Sequence, residues 1–123
     1  MEKTNKLKIH TVMKIPKGKV ELFKQFAAES IRLTNERDTG VLKQDWFVSS
    51  DRTKGVIREE YKDSEAVLEH MGNMSELREL SSNFSFDHVN VYGDPSPELL
   101  EATKGADMRV YSFSQGLDEM IET

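Results

Sequence analysis

The stretch that decides the fold runs from residue 41 to residue 61 and reads VLKQDWFVSSDRTKGVIREEY. Apolar and polar residues alternate from Val41 to Ser49, and a β-rich pattern resumes from Val56 to Tyr61, as is typical of strands. Between these two runs, the segment 51–55 has the composition of a turn. The stretch therefore predicts a β-hairpin in the middle of the chain.

A strand and a helix precede this hairpin. The run from Leu7 to Ile15 has near-alternate apolar residues and stops at the Pro-Lys-Gly turn of residues 16–18, which predicts a strand. From Lys19 onward apolar residues recur at i, i+3 and i+4 until about residues 35–38, which predicts an amphipathic helix. Gly40 follows at a position suited to end it.

A second helix and a fourth strand follow the hairpin. Asp63 or Ser64 can cap this helix, and Gly72 and Asn73 interrupt its pattern, which predicts a kink or a split there. The fourth strand spans residues 84–92, with Phe84, Phe86, His88, Asn90 and Tyr92 expected on one face and Val89 and Val91 on the other. Beyond it we expect a short helix at 98–103, a short strand at 108–113 and a helical end at 115–121.

The order strand, helix, strand, strand, helix, strand predicts an α+β fold. It is the ferredoxin-like split β-α-β-β-α-β arrangement, a four-stranded antiparallel sheet with two helices on one face. A chain of 123 residues is one domain of this kind. Phe47 and Val48 point to opposite sides of their strand, as do Tyr92 and Val91, so both sheet faces carry large apolar groups. We expect a homodimer assembled sheet to sheet to cover the face without helices.

Composition excludes several classes of function. Seventeen basic and twenty-two acidic residues give 17 − 22 = −5, which argues against nucleic acid or an anionic membrane as the main partner. The chain has no cysteine, so thiolate catalysis, zinc–thiolate sites and iron–sulfur clusters are excluded. No stretch is long and apolar enough for a membrane span, and the first residues do not resemble a signal peptide, so we expect a cytoplasmic protein.

The sequence also predicts no cofactor and no metal. Its seven glycines are isolated, so no phosphate-binding loop for a nucleotide or flavin is present. His10, His70 and His88 lie on separate predicted elements without metal-ligand spacing. Imidazole, carboxylate and phenol groups remain available for chemistry.

Four residues are the main candidates for that chemistry, and each has a structural alternative. His70 lies on the apolar stripe of the second helix, where its imidazole is either a proton acceptor or a hydrogen-bonded core histidine. Glu59 and Tyr61 share one strand face. Glu59 is a base or, as its position favours, half of a cross-strand ion pair with Lys or Arg. The phenol of Tyr61 either orients a substrate oxygen or has a structural role. Trp46 either floors a pocket for a flat substrate or, as we favour, packs in the core or a dimer interface.

Three motifs resemble the antibiotic biosynthesis monooxygenase family, a group of dimeric α+β barrels. The family has a Gly-Lys turn that opens its first helix, and residues 16–23 (PKGKVELF) match it. Its second strand begins with Glu-x-Gly, which residues 36–40, followed by Trp46, resemble. The best match is 59–70, EEYKDSEAVLEH, where the family has Glu-x-Trp or Tyr, an acidic cap and Ala-x-x-x-His. The resemblance covers about residues 7–93 of a single domain, 1–123, and leaves 94–123 as a C-terminal extension.

This resemblance implies a cofactor-independent monooxygenase that acts on a small aromatic or quinol-like substrate. The enzyme would deprotonate the substrate, whose carbanion then reacts directly with dioxygen. His70, Glu59 and Tyr61 are the implied catalytic residues, and Trp46, Met71 and Met74 the implied lining of the substrate pocket. An isomerase of small enolisable carbonyl compounds would use the same groups. A non-enzymatic dimeric domain, ligand-binding or stress-associated, is the remaining alternative.

Haem degradation, which one branch of the family performs, is disfavoured. That branch relies on an Asn in the first strand, a Trp in the second helix and a later His that ligates iron. By spacing, these positions fall on Thr11, His70 and Leu80 in this chain. A leucine cannot ligate iron, and only His70 could substitute for the missing ligand.

Overall fold

The computed structural model describes residues 5–117. Five strands are present: β1 (Leu7–Lys14), β2 (Val41–Val48), β3 (Lys54–Tyr61), β4 (Ser85–Tyr92) and β5 (Met108–Tyr111). The helices are α1 (Val20–Arg37), α2 (Ser64–Asn73), α3 (Arg78–Ser81) and α4 (Pro97–Ala102), with a 3₁₀ turn at Met74–Leu77 between α2 and α3. The α+β class and the β-α-β-β-α-β order are confirmed.

The sheet has the strand order β2-β3-β1-β4-β5. Its first four strands are antiparallel neighbours, as the sequence predicts. The predicted four-stranded sheet is nevertheless incomplete, because β5 adds a fifth strand that runs parallel to β4. α4 supplies the crossover that a parallel pair requires. The helical end predicted for 115–121 is wrong for residues 115–117, which form an isolated bridge and a bend, and the rest of it lies outside the described residues.

Both long helices form where the amphipathic pattern places them. α1 buries Phe23, Phe26 and Leu33 against the sheet. α2 begins with Asp63 as its N-cap, whose carboxylate accepts a hydrogen bond of 2.9 Å from the amide of Ala66. It ends at Asn73, where the chain tightens into the 3₁₀ turn, so the break predicted at Gly72-Asn73 is confirmed.

One face of the sheet packs on the helices around an aromatic cluster. The rings of Phe23 and Phe26 contact Trp46 edge-on at centroid distances of 5.4 Å and 5.2 Å. Phe84 joins the cluster and is stacked on Phe26. Trp46 therefore packs against the core on the helix side of the sheet.

A bulge in β4 changes which residues face the helices. The pairing with β1 shifts so that Val12 lies opposite His88 while Met13 lies opposite Phe86, which leaves Asp87 as an extra residue. Phe86 therefore shares the helix-side face with buried Met13. The expectation that Phe84 and Phe86 share a face with His88, Asn90 and Tyr92 is wrong for this reason.

A second irregularity affects the start of β2. Val41 pairs with Tyr61 and Lys43 with Glu60, which leaves Leu42 as the extra residue. Val41 thus packs into the core beside Tyr61, whereas Leu42 is exposed. A strict alternation along the strand would instead bury Leu42 on the helix side and expose Val41.

The opposite face of the sheet carries exposed aromatic side chains. Phe47 and Tyr111 are 47% and 51% exposed, and the ring of Tyr92 is stacked on that of Tyr111 at 5.5 Å. In the part of the chain that the structure describes, the buried strand residues lie on the helix side. The apolar groups of this face, hereafter the open face, are therefore accessible.

Within residues 5–117, no helix combines the length and the hydropathy needed to cross a bilayer.

Candidate functional site

A cavity of about 530 Å³ lies between the helix-side face of the sheet and the helices. That volume is typical of sites for small molecules. Most of its wall is apolar, with side chains from all five strands and from α1, α2 and α4. The six residues that the sequence singles out all line it: Trp46, Glu59, Tyr61, His70, Met71 and Met74.

His70 is held on one side by a buried carboxylate. Its Nδ1 lies 2.6 Å from Oδ2 of Asp38, whose side chain has no exposed surface. The other oxygen of Asp38 accepts a hydrogen bond of 2.6 Å from the side-chain amide of Asn73. Because a carboxylate only accepts hydrogen bonds, the Nδ1 of His70 carries a hydrogen. The Nε2 is thereby directed to the opposite side.

Glu59 lies on that opposite side. Its Oε2 is 3.3 Å from Nε2 of His70 and accepts a hydrogen bond of 3.1 Å from the side-chain amide of Gln44. Burial raises the pKa of the Glu59 carboxyl, while the neighbouring imidazole and the hydrogen bonds from Tyr61 and Gln44 act in the opposite direction. The expected ion pair with Lys or Arg is wrong: Gln44 and Ile9 lie opposite Glu59 in the sheet.

The orientation of the Gln44 amide follows from Trp46. The indole Nε1 donates to Oε1 of Gln44 over 3.0 Å, and an indole can only donate. The amide nitrogen of Gln44 must therefore face Glu59 and Thr34, whose hydroxyl lies at 3.0 Å. Trp46 thus fixes a hydrogen-bond donor on Glu59 in addition to lining the cavity.

Tyr61 is buried beside the same carboxylate. Its ring meets that of His70 edge-on at 5.7 Å, and its hydroxyl hydrogen-bonds to Glu59. Burial, together with the nearby charge of Glu59, raises the pKa of the Tyr61 phenol far above its usual range. Tyr61 therefore stays protonated and acts as a hydrogen-bond donor.

These contacts form one acid–base unit. Nε2 of His70 and Oε2 of Glu59 are 3.3 Å apart, so one hydrogen on either atom can join the two groups. The pair can take up one more proton from a bound molecule and later return it. Asp38 stabilises the imidazolium that this uptake creates, as the carboxylate of a catalytic triad does.

Close packing at Gly40 brings Asp38 to His70. A Cβ on Gly40 would lie 2.4 Å from the Cβ of Ala66 in the first turn of α2. The carbonyl of Gly40 also accepts a hydrogen bond of 2.9 Å from the amide of Lys62. The end of α1 is thereby drawn against α2, which carries His70.

Known proteins resemble this chain in structure and not in sequence: no protein family and no curated protein matches it. MupZ from Pseudomonas fluorescens superposes with a TM-score of 0.85 at 21% identity, over 97% of this chain and 93% of MupZ. A candidate antibiotic biosynthesis monooxygenase from Nitrosomonas europaea has a TM-score of 0.64 at 17% identity, over 79% and 97% of the two chains. SnoaB from Streptomyces nogalater, a cofactor-independent oxygenase, has a TM-score of 0.61 at 10% identity, over 75% of this chain and 95% of SnoaB.

This chain has the antibiotic biosynthesis monooxygenase fold. The family likeness read from the sequence is confirmed at the level of fold. Identities of 10–21% transfer no residue roles. The chemistry of this member of the fold must therefore be argued from its own site.

Sequence reasoning brought together the lining residues but missed the groups that orient them. Asp38 and Asn73 lie 32 and 3 residues from His70 along the chain, and nothing in their local pattern marks them as its partners. Gln44, which hydrogen-bonds to Glu59, is likewise not marked as its partner by any local pattern. Only the pairing of β2 with β3 could reveal that partnership.

The other candidates lie elsewhere. His10, His88 and Asn90 sit on the open face, where His10 contacts Arg58 and Tyr92. Of the residues from 5 to 117, no three among His, Asp and Glu converge in a way that could hold a metal ion. In the cavity the imidazole lies between the two carboxylates, which keeps them apart.

Proposed function

We propose that this protein is an enzyme that abstracts a proton from a small, largely apolar substrate by means of the His70–Glu59 pair. The observation that carries the proposal is the line of contacts from Asp38 through His70 to Glu59, at 2.6 Å and 3.3 Å, at the wall of an apolar cavity. A merely structural histidine needs one hydrogen-bond partner. Here two carboxylates occupy both ring nitrogens, which suits an imidazole that changes charge.

The reaction we propose is cofactor-independent oxygenation of an aromatic or quinol-like molecule. A ring CH₂ or hydroxyl gives its proton to the pair, and the resulting anion transfers its electrons to dioxygen. For a CH₂ group the balance is CH₂ + O₂ → C=O + H₂O, with the substrate as the only reductant. Once Glu59 holds the proton, the hydroxyl of Tyr61 can turn its one hydrogen from Glu59 to the substrate oxygen that becomes negatively charged. The name of SnoaB, a cofactor-independent oxygenase with the same fold, supports this choice.

Oxygen uptake with dihydroxynaphthalenes and anthrone, the probes of choice, tests the proposal. We expect the parent protein to consume oxygen, and His70→Ala to lower the rate by about 10²–10⁴-fold, the usual contribution of a general base. His88→Ala removes an imidazole from the open face and is the matched control, with an unchanged rate. Uptake that is equal in His70→Ala and the parent would remove the assignment.

A second candidate, isomerisation of an enolisable ketone, is favoured by the 3.3 Å contact between Nε2 of His70 and Oε2 of Glu59. Such a pair both accepts a proton and returns it, and isomerisation needs no oxidant. Exchange of substrate hydrogen for deuterium in heavy water without oxygen separates the two reactions. Exchange with product formation under anaerobic conditions supports the isomerase. Binding without exchange or oxygen uptake supports a non-enzymatic ligand-binding domain.

We also propose that the protein is a homodimer that buries its open face. The exposed rings of Phe47, Tyr92 and Tyr111 give this face an apolar surface. Apolar side chains exposed on one face of a sheet mark interaction sites, and a second copy offers the same surface to the first. The cavity lies on the other side of the sheet, so it remains accessible in such a dimer.

A further inference from the structure

The cavity extends across the whole sheet, from the acid–base unit to the C-terminal extension. One row of paired residues forms its floor: Trp46 lies opposite Ile57, Ile57 opposite Thr11, Thr11 opposite Val89, and Val89 opposite Met108. All five line the cavity. Neighbouring strands are about 4.8 Å apart, so the row spans about 19 Å from β2 to β5. The site is therefore elongated.

Its two ends differ in chemistry. Glu59, Tyr61 and His70 are at the end formed by β3 and α2. The other end, hereafter the apolar arm, is formed by Phe86, Val89, Ala102, Gly105, Ala106 and Met108. Thr103 and Ser81 also lie there, but their hydroxyls donate to the carbonyls of Leu99 and Arg78 within their own helical turns. The apolar arm therefore suits hydrocarbon.

The apolar arm opens to solvent. Phe86 is 64% exposed although it lines the cavity, and Ala102, Gly105 and Ala106 are also exposed. Small residues in the turn after α4 leave the opening unobstructed. A molecule can thus enter here and place its polar end first against His70 and Glu59.

The charge of the polar end restricts what it can hold. Two carboxylates share one imidazole there, and none of the residues that line the cavity is Lys or Arg. An anionic head group would meet like charge in a poorly solvated site, which is unfavourable. A neutral head that can give up a proton, such as a phenol or an enol, is compatible.

We propose that the substrate is a neutral, amphipathic molecule whose proton-donating head contacts His70 and Glu59 and whose hydrocarbon tail lies in the apolar arm. The C-terminal extension, through α4 and the turn before β5, then sets how bulky a tail the enzyme accepts. This inference rests on the proposed function only for the position of the head. Tail binding is a separate property, which can be measured without turnover.

Quenching of the single tryptophan, Trp46, by 4-alkylphenols under anaerobic conditions tests the proposal. From 4-methylphenol to 4-hexylphenol we expect affinity to rise by up to about fourfold per buried CH₂ and to level off where the tail reaches solvent. 4-Hexylbenzoate should bind at least about tenfold more weakly than 4-hexylphenol. Equal affinity along the series, no binding of any member, or preferred binding of the benzoate would overturn the proposal.

Gly105→Phe and Lys104→Phe form a matched pair of variants. A Cβ at Gly105 has no neighbouring atom within 4 Å, so the ring fits and narrows the opening. We expect Gly105→Phe to weaken the binding of 4-hexylphenol by about tenfold, the equivalent of nearly two buried CH₂ groups. The affinity for 4-methylphenol should be unchanged. Lys104, the preceding residue, does not line the cavity, so Lys104→Phe should change the affinity for neither phenol. Equal effects of the two variants would contradict the assignment of the arm.

Phe86→Ala provides an independent check from the opposite wall. The side chain is largely exposed, so its removal should leave the fold intact while the tail loses a contact. We expect weaker binding of 4-hexylphenol and no change for 4-methylphenol. If the alkylphenol trend holds while deuterium exchange and oxygen uptake fail, the proposed function falls and the tail site stands. If catalysis is found but affinity does not depend on tail length, the proposed function stands and the tail site falls.

Discussion

At the scale of single residues, the site depends on hydrogen bonds between buried groups. Asp38 accepts from both His70 and Asn73, and Glu59 accepts from Gln44 while facing His70. None of the buried side-chain nitrogen or oxygen atoms among the described residues lacks a partner. Satisfied networks of this kind hold side chains in one geometry, and loss of one member leaves others unpaired.

Replacement of Asp38 by Ala should destabilise the protein. Two buried donors, Nδ1 of His70 and the amide of Asn73, lose their acceptor, and each unsatisfied group costs about 1–3 kcal/mol. We expect the free energy of unfolding from urea denaturation to fall by about 2 kcal/mol or more. Asp45→Ala, at an exposed strand position, is the control and should stay within about 0.5 kcal/mol of the parent. Equal losses in both variants would contradict the network.

Asp38→Asn separates orientation from stability. The amide keeps the shape of the carboxylate but removes the charge that stabilises a protonated imidazole, so activity should fall by about 10²-fold or more. Imidazole ¹⁵N spectra of the parent should show the Nδ1 of His70 protonated, and the variant should lose this preference. An unchanged spectrum together with unchanged activity would assign Asp38 a purely structural role.

The ionisation of Glu59 should make stability depend on pH. Burial raises its pKa above the value of 4.5 expected for the unfolded chain, so the native state binds this proton more tightly. The resulting stabilisation is complete below about pH 4.5 and is lost as pH rises through the raised native pKa. Glu59→Gln cannot ionise. We therefore expect its free energy of unfolding, relative to the parent, to be higher at about pH 8 than at about pH 5.

Urea denaturation at the two pH values measures this difference. Glu60→Gln, which alters the neighbouring carboxylate on the other side of β3, is the control, and its stability relative to the parent should change little with pH. A relative stability of Glu59→Gln that falls with rising pH would mean that hydrogen bonds to the carboxylate outweigh its burial.

At the scale of elements, the contact between the end of α1 and the start of α2 determines the site. Gly40→Ala introduces a methyl group 2.4 Å from the Cβ of Ala66, so α2 must shift. Overpacking of this kind costs about 1–3 kcal/mol, and the shift should also separate His70 from Asp38. We expect lower stability in urea denaturation and loss of activity together.

Gly72→Ala is the matched control for this substitution. Gly72 lies within α2, and an added Cβ there has no neighbour within 4 Å. Because alanine favours the helix over glycine, we expect Gly72→Ala to stabilise the protein by about 0.5–1 kcal/mol. If Gly40→Ala proves as stable as Gly72→Ala, the close contact between the end of α1 and the start of α2 is contradicted.

At the scale of the whole molecule, the open face predicts self-association. The parent should have a mass by light scattering of about twice 14.1 kDa. Phe47→Glu places a charge on the open face and should give monomers. Leu100→Glu alters an equally exposed apolar side chain on α4 and should remain dimeric. A parent protein that is monomeric at micromolar concentration contradicts the proposal.

The sequence by itself determined the elements and their order. Periodicity placed the first four strands and the two long helices within a few residues of their observed bounds, because local pattern reflects which side of an element is buried. Together with the family resemblance, the pattern singled out six residues that line the cavity, among them His70, Glu59 and Met74. It failed at β2 and β4, where bulges insert one residue and reverse the faces of Val41 and Phe86.

Only the tertiary structure decided how those residues work together. The contacts of His70 with Asp38 and of Glu59 with Gln44 join positions 32 and 15 residues apart, and local pattern carries no information on such distances. The fifth strand likewise depends on pairing with β4 across α4. Burial of Glu59 with no Lys or Arg opposite it, which raises its pKa, follows from the register of β3 between β1 and β2. The chain specifies its elements locally, whereas the site arises from the packing between them.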